Sequence, residues 1–254
     1  AIPETLVGAF DDAAPDVIVS CAAYTAVNQA EAEPELAMAV NAAGAGAVAA
    51  EAARLGIPLI HLSTDYVFDG SGTHAWREDD PTGPLSVYGQ SKLAGELAVQ
   101  EMCADHAILR TSWVYSPYGQ NFMKTMLRLA GDNDSVRVVD DQIGNPTSAH
   151  DIASAIVAIA RRLSEDREQG LRGTFHLAGS GEASWADFAE EIFVDAARRG
   201  LPSALVKRIS TAEFPTPAPR PANSRLDCAR LCETYGIRMP QWQTSLELVL
   251  DQLI

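Results

Sequence analysis

Basic residues are scarce in this chain. Lys and Arg total 19 against 34 Asp and Glu, a formal net charge of −15 over 254 residues. The summed field repels polyanions, which argues against a general nucleic-acid or anionic-membrane binder and leaves room for a small anion held by a local arginine. Cysteine is scarce as well: Cys21, Cys103, Cys228 and Cys232 lack C-x-x-C spacing, so reduced thiols of a cytoplasmic protein are expected. The histidines, at 61, 74, 106, 150 and 176, show no metal-ligand spacing. No apolar run approaches the roughly 20 residues needed to span a bilayer, and the start A-I-P-E-T does not read as a signal peptide. A glycine-rich phosphate turn following a strand is also missing. Gly44-Ala45-Gly46-Ala47-Val48-Ala49 fits G-x-G-x-x-A formally, but M-A-V-N-A-A before it continues a helical run. Its small residues read instead as a helix face packed closely on a sheet.

What is present is an alternation of short β-branched runs with longer helical ones. Strands are expected at D-V-I-V-S-C (16–21), P-L-I-H-L-S-T (58–64), H-A-I-L-R-T-S (106–112), V-R-V-V (136–139) and G-T-F-H-L-A (173–178). Helices are expected from Pro34 to near Gly56, Ser86 to Met102, Asn121 to Ala130, and from Asp151 onward. This alternation predicts an α/β fold, a Rossmann-like doubly wound parallel sheet with helices on both faces. From Gly179 the pattern loosens into helices and the Pro-rich P-T-P-A-P-R-P (215–221), as expected of a smaller C-terminal domain. We therefore divide the chain into 1–178, mainly dinucleotide-binding with 113–122 and 140–148 facing substrate, and 179–254, mainly substrate-binding.

The most pointed local signal is V-Y-G-Q-S-K-L, in which Tyr88 and Lys92 share a helix face one turn apart. A phenol with a pKa near 10 is a poor acid or base at neutral pH, and a nearby ammonium is expected to lower that value into a useful range. With six tyrosines and three lysines, chance alone would give this spacing about 0.07 times, so the pair needs its context. Ser63, Thr64 and Asp65 supply it, at the carboxyl end of the second strand, where ligands bind in doubly wound folds. Thr64 reads either as a catalytic hydroxyl or as a strand-end cap.

The stretches L-S-T-D-Y-V-F-D-G (62–70), R-E-D-D-P-T-G-P-L-S-V-Y-G-Q-S-K-L-A-G-E (77–96), A-A-Y-T-A-V (22–27), R-T-S-W-V-Y (110–115), V-D-D-Q-I-G-N-P-T (139–147) and R-P-A-N-S-R-L-D (220–227) resemble the extended short-chain dehydrogenase/reductase family. Within it they are most similar to the branch that reduces a 4-keto nucleotide sugar. The resemblance spans nearly the whole chain. It implies Tyr88 as proton donor, Lys92 orienting the nicotinamide ribose, and Thr64 completing the catalytic trio. Ala22, Ala23, Tyr24 and Thr25 would lie along the cofactor, NADPH or NADH, with Thr64, Asp65 and Trp113 on the sugar nucleotide. The implied reaction reduces C4 of dTDP-4-dehydro-L-rhamnose to give dTDP-L-rhamnose for cell-surface polysaccharide. The implied partner is the nucleotide sugar, with neither nucleic acid nor membrane, in a monomer or homodimer. By the same resemblance, a glycine-rich β-α-β unit of about 30 to 45 residues is expected before residue 1.

Several residues keep two readings. Asn41 reads as a solvated helix residue or as one reaching the active site. Arg220 reads as a surface arginine or as a bidentate clamp on the substrate diphosphate. Trp113 is a stacking surface or a core residue. Asp79 and Asp80 read as solvated loop charges, with a surface Mg2+ site as the alternative. Two other functions share the motifs: a nucleotide-sugar epimerase or dehydratase, and a non-catalytic NADP-binding regulatory subunit like that of methionine adenosyltransferase. Thr64-Asp65 argues against the first and the intact Thr64, Tyr88 and Lys92 against the second.

Overall fold

The computed structural model describes residues 4–254; Ala1–Pro3 of the A-I-P-E-T start lie outside them. In chain order the main elements are α1 (Glu4–Ala13), β1 (Ile18–Ser20), α2 (Pro34–Leu55), β2 (Leu59–Thr64), α3 (Val87–Met102), β3 (His106–Thr111), α4 (Phe122–Asp132), β4 (Ser135–Val139), α5 (Ala149–Glu165), β5 (Gly173–His176), α6 (Trp185–Arg198), β6 (Leu205–Ile209), α7 (Ala229–Tyr235) and α8 (Trp242–Leu250).

β1, β2, β3 and β5 lie side by side in that order, all parallel. Each side chain faces opposite to its neighbours along a strand, and the sequence uses this. Leu59 and Ile108 point to a cluster with Ala45, Ala49 and Ala52 of α2 and Val99 of α3. Ile60 and Leu109 point the other way, to Ile152, Ile156, Ile159 and Leu163 of α5 and Leu231 of α7. The doubly wound parallel sheet is therefore present, with helices on both faces. Element ends move by only a few residues from expectation. Ser86, Asn121 and Ser148 accept backbone N–H groups as N-caps, so the helix expected from Asp151 starts two residues earlier, at Ala149.

Three expectations need correction. The strand at 136–139 is not part of the central sheet: β4 pairs in parallel with β6, a strand the sequence did not suggest. That pair belongs to a second core, in which Tyr115, Met123, Val136 and Val138 pack with Phe188, Ile192, Trp242 and Leu246. Secondly, α2 is a continuous 22-residue helix, long and apolar enough by length and composition to cross a membrane, contrary to the expected lack of any such run. Its Ala45, Ala49 and Ala52 pack on the sheet. Thirdly, the chain before the first strand, to which the sequence reading assigned no element, forms α1, which sets Phe10 against the α2 cluster.

β1 forms the sheet edge. Its central Val19 is 39% exposed and borders a groove of about 580 Å³ together with Ile57 and Val157. The groove runs toward the amino ends of the strands, away from Thr64.

A close helix crossing fixes the layer above the sheet. α2 contains a single π-helical turn, Ala39–Ala43, and there Asn41 meets α3 at Gly95. A Cβ on Gly95 would lie 2.1 Å from the Asn41 carbonyl oxygen. Asn41 is 1% exposed, so its solvated reading is wrong. Its side chain accepts from Tyr24 N–H at 2.7 Å and donates to the Tyr24 carbonyl at 3.1 Å and Ser91 Oγ at 2.9 Å. Gly95→Ala should therefore destabilise the protein by about 1–3 kcal/mol through overpacking, whereas Gly131→Ala, with open space around it in α4, should be neutral or stabilising. Thermal unfolding of the two variants, compared at equal protein concentration, checks this; an unaffected midpoint for Gly95→Ala would contradict the crossing.

Candidate active site

The carboxyl end of β2 runs directly into a 3₁₀ turn, Asp65–Val67. Thr64 caps that turn by accepting from Tyr66 N–H at 3.2 Å, and its hydroxyl donates to Asp65 Oδ1 at 3.0 Å. α3 starts against the same turn. A Cβ on Gly89 would lie 2.3 Å from the Tyr66 carbonyl oxygen, so glycine there lets the first turn of α3 bring Tyr88 to Thr64. Tyr88 and Tyr66 meet edge to face, ring centroids 5.5 Å apart.

Thr64, Asp65, Tyr66 and Tyr88 line an open cavity of about 200 Å³. Of the residues expected from sequence, Thr64, Asp65, Tyr88, Trp113 and Arg220 line it together. Trp113 sits at φ +47°, in the left-handed region, and stacks on Trp185 with centroids 3.6 Å apart and planes 9° apart. It lines the cavity and also packs on the second core. Arg220 Nη1 donates to Tyr66 Oη at 2.9 Å and Nη2 to Asn28 Oδ1 at 3.0 Å, which holds the guanidinium at the cavity rim.

Lys92 lies deeper, 3% exposed. Its ammonium donates to the Leu62 carbonyl at 2.7 Å and lies 3.5 Å from His61 Nε2. Ala22, Ala23, Tyr24 and Thr25 do not line the cavity. They follow β1 in a segment without regular structure, and Tyr24 Oη donates to Glu33 at 2.7 Å. Asp79 and Asp80 are engaged by Arg230 and by Arg77 N–H, and among the described residues no three His, Cys, Asp or Glu side chains gather as a metal site.

Electrostatics correct one expectation outright. Burial pushes the Tyr88 phenol above its ordinary pKa, with Asp65 and Tyr66 adding to the rise, and only a hydrogen bond with Thr64 works the other way. Lys92 does not lower it, because that ammonium is directed to the Leu62 carbonyl. Tyr88 is thus a neutral phenol that holds its proton, which suits a donor. Burial also lowers Lys92 to about 8, against a smaller upward pull from Glu96. It raises Asp65 to about 6, opposed by the hydroxyls of Ser224 and Thr64. His61 falls to about 3 through burial and the Lys92 charge, so it is a neutral imidazole.

Sequence reasoning missed Trp185, Tyr66, His61 and Glu96. Trp185 carried a readable signal, since it opens α6 behind a Ser184–Asp187 capping box. Glu96 sits one turn after Lys92, a spacing visible in S-K-L-A-G-E. For His61 and Tyr66 there was none beyond their strand and turn positions.

The sequence matches the RmlD substrate binding domain family over residues 2–254. It is 57% identical over all 254 residues to a dTDP-4-dehydrorhamnose reductase of Sinorhizobium fredii, spanning 86% of that protein. It is 46% identical over 241 residues to the one of Escherichia coli K12, covering 94% of this chain and 80% of that one. Among solved structures, the dTDP-4-dehydrorhamnose reductase of Bacillus anthracis in complex with NADP superposes with a TM-score of 0.91 at 36% identity, over 98% of this chain and 85% of that one. A cavity built at the end of β2, carried on this sheet and matched at this identity over the full length, places the chain in the RmlD substrate binding domain family.

Proposed function

We propose that the protein is a reductase that converts dTDP-4-dehydro-L-rhamnose to dTDP-L-rhamnose with NADPH or NADH, feeding a deoxysugar precursor into cell-surface polysaccharide. The observation that carries this reading is the convergence of Thr64, Asp65, Tyr88, Trp113 and Arg220 on one small cavity, in a chain with full-length reductase relatives. A volume of about 200 Å³ is below that of a typical drug-sized site and suits a single sugar ring, with the nucleotide outside.

The residues fit a nicotinamide cofactor. An ammonium has three donors, and Lys92 gives one to Leu62 and lies at a long distance from His61, so a ribose hydroxyl can take another. The small Ala22 and Ala23 leave space at the carboxyl end of β1, and Tyr24 and Thr25 extend that path. The cofactor supplies the hydride. Tyr88 donates its phenolic proton to the alkoxide oxygen that develops at C4, and Thr64 hydrogen-bonds that oxygen. Asp65 accepts from a neighbouring sugar hydroxyl. Trp113, backed by Trp185, offers a flat apolar face, and Arg220 meets the diphosphate. In this reading residues 1–178 serve mainly the cofactor and 179–254 mainly the substrate, with 113–122 and 140–148 facing it. A net charge of −15 fits a cytoplasmic small-molecule enzyme, monomer or homodimer.

The direct test is NADPH oxidation with dTDP-4-dehydro-L-rhamnose and identification of the product. No consumption by folded, NADPH-binding protein would overturn the reading. Tyr88→Phe should keep the fold and lower kcat by roughly 10²-fold or more, the scale of a lost general acid; turnover near that of the wild type would remove Tyr88 from the chemistry. Arg220→Ala should raise KM more than it changes kcat, because the diphosphate does not react, and equal losses in kcat and kcat/KM would assign it to the transition state. NADPH affinity should fall as pH rises through about 8: Lys92 is an ammonium below that value and a neutral amine above it, which weakens its hydrogen bond to the ribose. A dissociation constant flat from pH 7 to 9 would contradict this.

A further inference from the structure

We infer that Glu96 is a positioning residue for Lys92, and that its carboxylate, rather than the Arg110 cation paired with it, keeps the ammonium charged. The inference rests on the proposed role of Lys92 toward the cofactor. Tyr88, Lys92 and Glu96 follow one another at four-residue steps, so all three lie along one stripe of α3. Glu96 is 1% exposed and its carboxylate takes three donors. Arg110 Nε gives to Oε1 at 2.9 Å and Nη2 to Oε2 at 2.7 Å, while Ser63 Oγ gives to Oε1 at 2.5 Å. Arg110 is itself held by the Glu78 carbonyl at 3.3 Å and lies over the Phe68 ring at 5.1 Å.

The arrangement does two things. Mechanically, Ser63 immediately precedes Thr64 and pairs with Arg110 across the β2–β3 ladder. One carboxylate on α3 therefore ties together the two strands at the level of the cavity floor, and sets the end of β2 against the helix that carries Tyr88 and Lys92. Electrically, the groups facing Lys92 are Cys21 after β1, His61 in β2 and Glu96 on its own helix, with Arg110 of β3 behind Glu96. His61 is neutral, and its Nδ1 has no hydrogen-bond partner among the described residues. Cys21 is a thiol whose pKa burial raises. Glu96, paired with Arg110, is thus the negative charge that opposes the desolvation of Lys92.

The test compares two substitutions that break the same ion pair. Glu96→Gln removes the negative charge; Arg110→Met removes the cation and leaves the carboxylate with Ser63. NADPH dissociation constants are measured from pH 6 to 9 for both, for wild type and for Lys92→Met, with circular dichroism to check folding. Glu96→Gln should move the pH limb down by about one unit, so that affinity is near wild type at pH 6 and about fivefold weaker at pH 8. Arg110→Met should leave the limb in place or move it up, and Lys92→Met should abolish it. A limb unmoved by Glu96→Gln, or moved down by both pair-breaking variants, overturns the inference; the second result alone would mark a structural brace. Should Glu96→Gln fail to fold, a downward shift in Arg110→Met still overturns it. A limb that persists in Lys92→Met overturns the cofactor role of Lys92 instead.

Discussion

An ammonium buried at 3% exposure inside an α/β sandwich is costly unless its protons are placed and its charge is opposed. In this protein the cost is met by the Leu62 carbonyl, 2.7 Å from Lys92 Nζ, and by the carboxylate one turn further along the same helix. Much of the rest follows from getting that helix down onto β2. Gly89 allows its first turn to touch the Tyr66 carbonyl and Gly95 allows its middle to touch the Asn41 carbonyl. Asn41 in turn accepts and donates to the Tyr24 backbone, so the segment after β1 is positioned by the same crossing. Strand end, helix stripe and loop are fixed to one another through backbone contacts that tolerate no added methyl.

That packing separates the roles of two groups the sequence placed together. Four-residue spacing suggests that Tyr88 and Lys92 act on each other directly. The structure turns the ammonium inward and leaves the phenol among Thr64, Asp65 and Tyr66, where burial raises its pKa. The phenol is then a proton reservoir at neutral pH, and its loss of a proton is favoured only as negative charge develops on a nearby oxygen. The ammonium of Lys92 is held by the Leu62 carbonyl instead.

The central sheet was legible because its strands are short, apolar and alternate in facing, as at Leu59-Ile60 and Ile108-Leu109, and because Ser86 and Asn121 mark helix starts. The cavity residues were legible where a chemical type stood at a strand end, as with Thr64 and Asp65. What escaped was non-local. Asn41 looks like any helix surface residue until the π-turn and Gly95 place it against Tyr24 and Ser91. Val136–Val139 looks like a central strand until Leu205–Ile209, paired 70 residues further along, lies beside it. The direction of the Tyr88 shift was misread because spacing reports which residues share a face, whereas a pKa reports everything around them.

The claim on which the account depends is that Lys92 is buried and held with a depressed pKa. The chain has three lysines, Lys92, Lys124 and Lys207, so selective ¹³C labelling of lysine gives a spectrum simple enough to assign by substitution. Titration of the side-chain Cε resonances should show a group near pH 8 that is absent in Lys92→Met. A Lys92 resonance that titrates near the ordinary lysine value of about 10.4 would contradict the account.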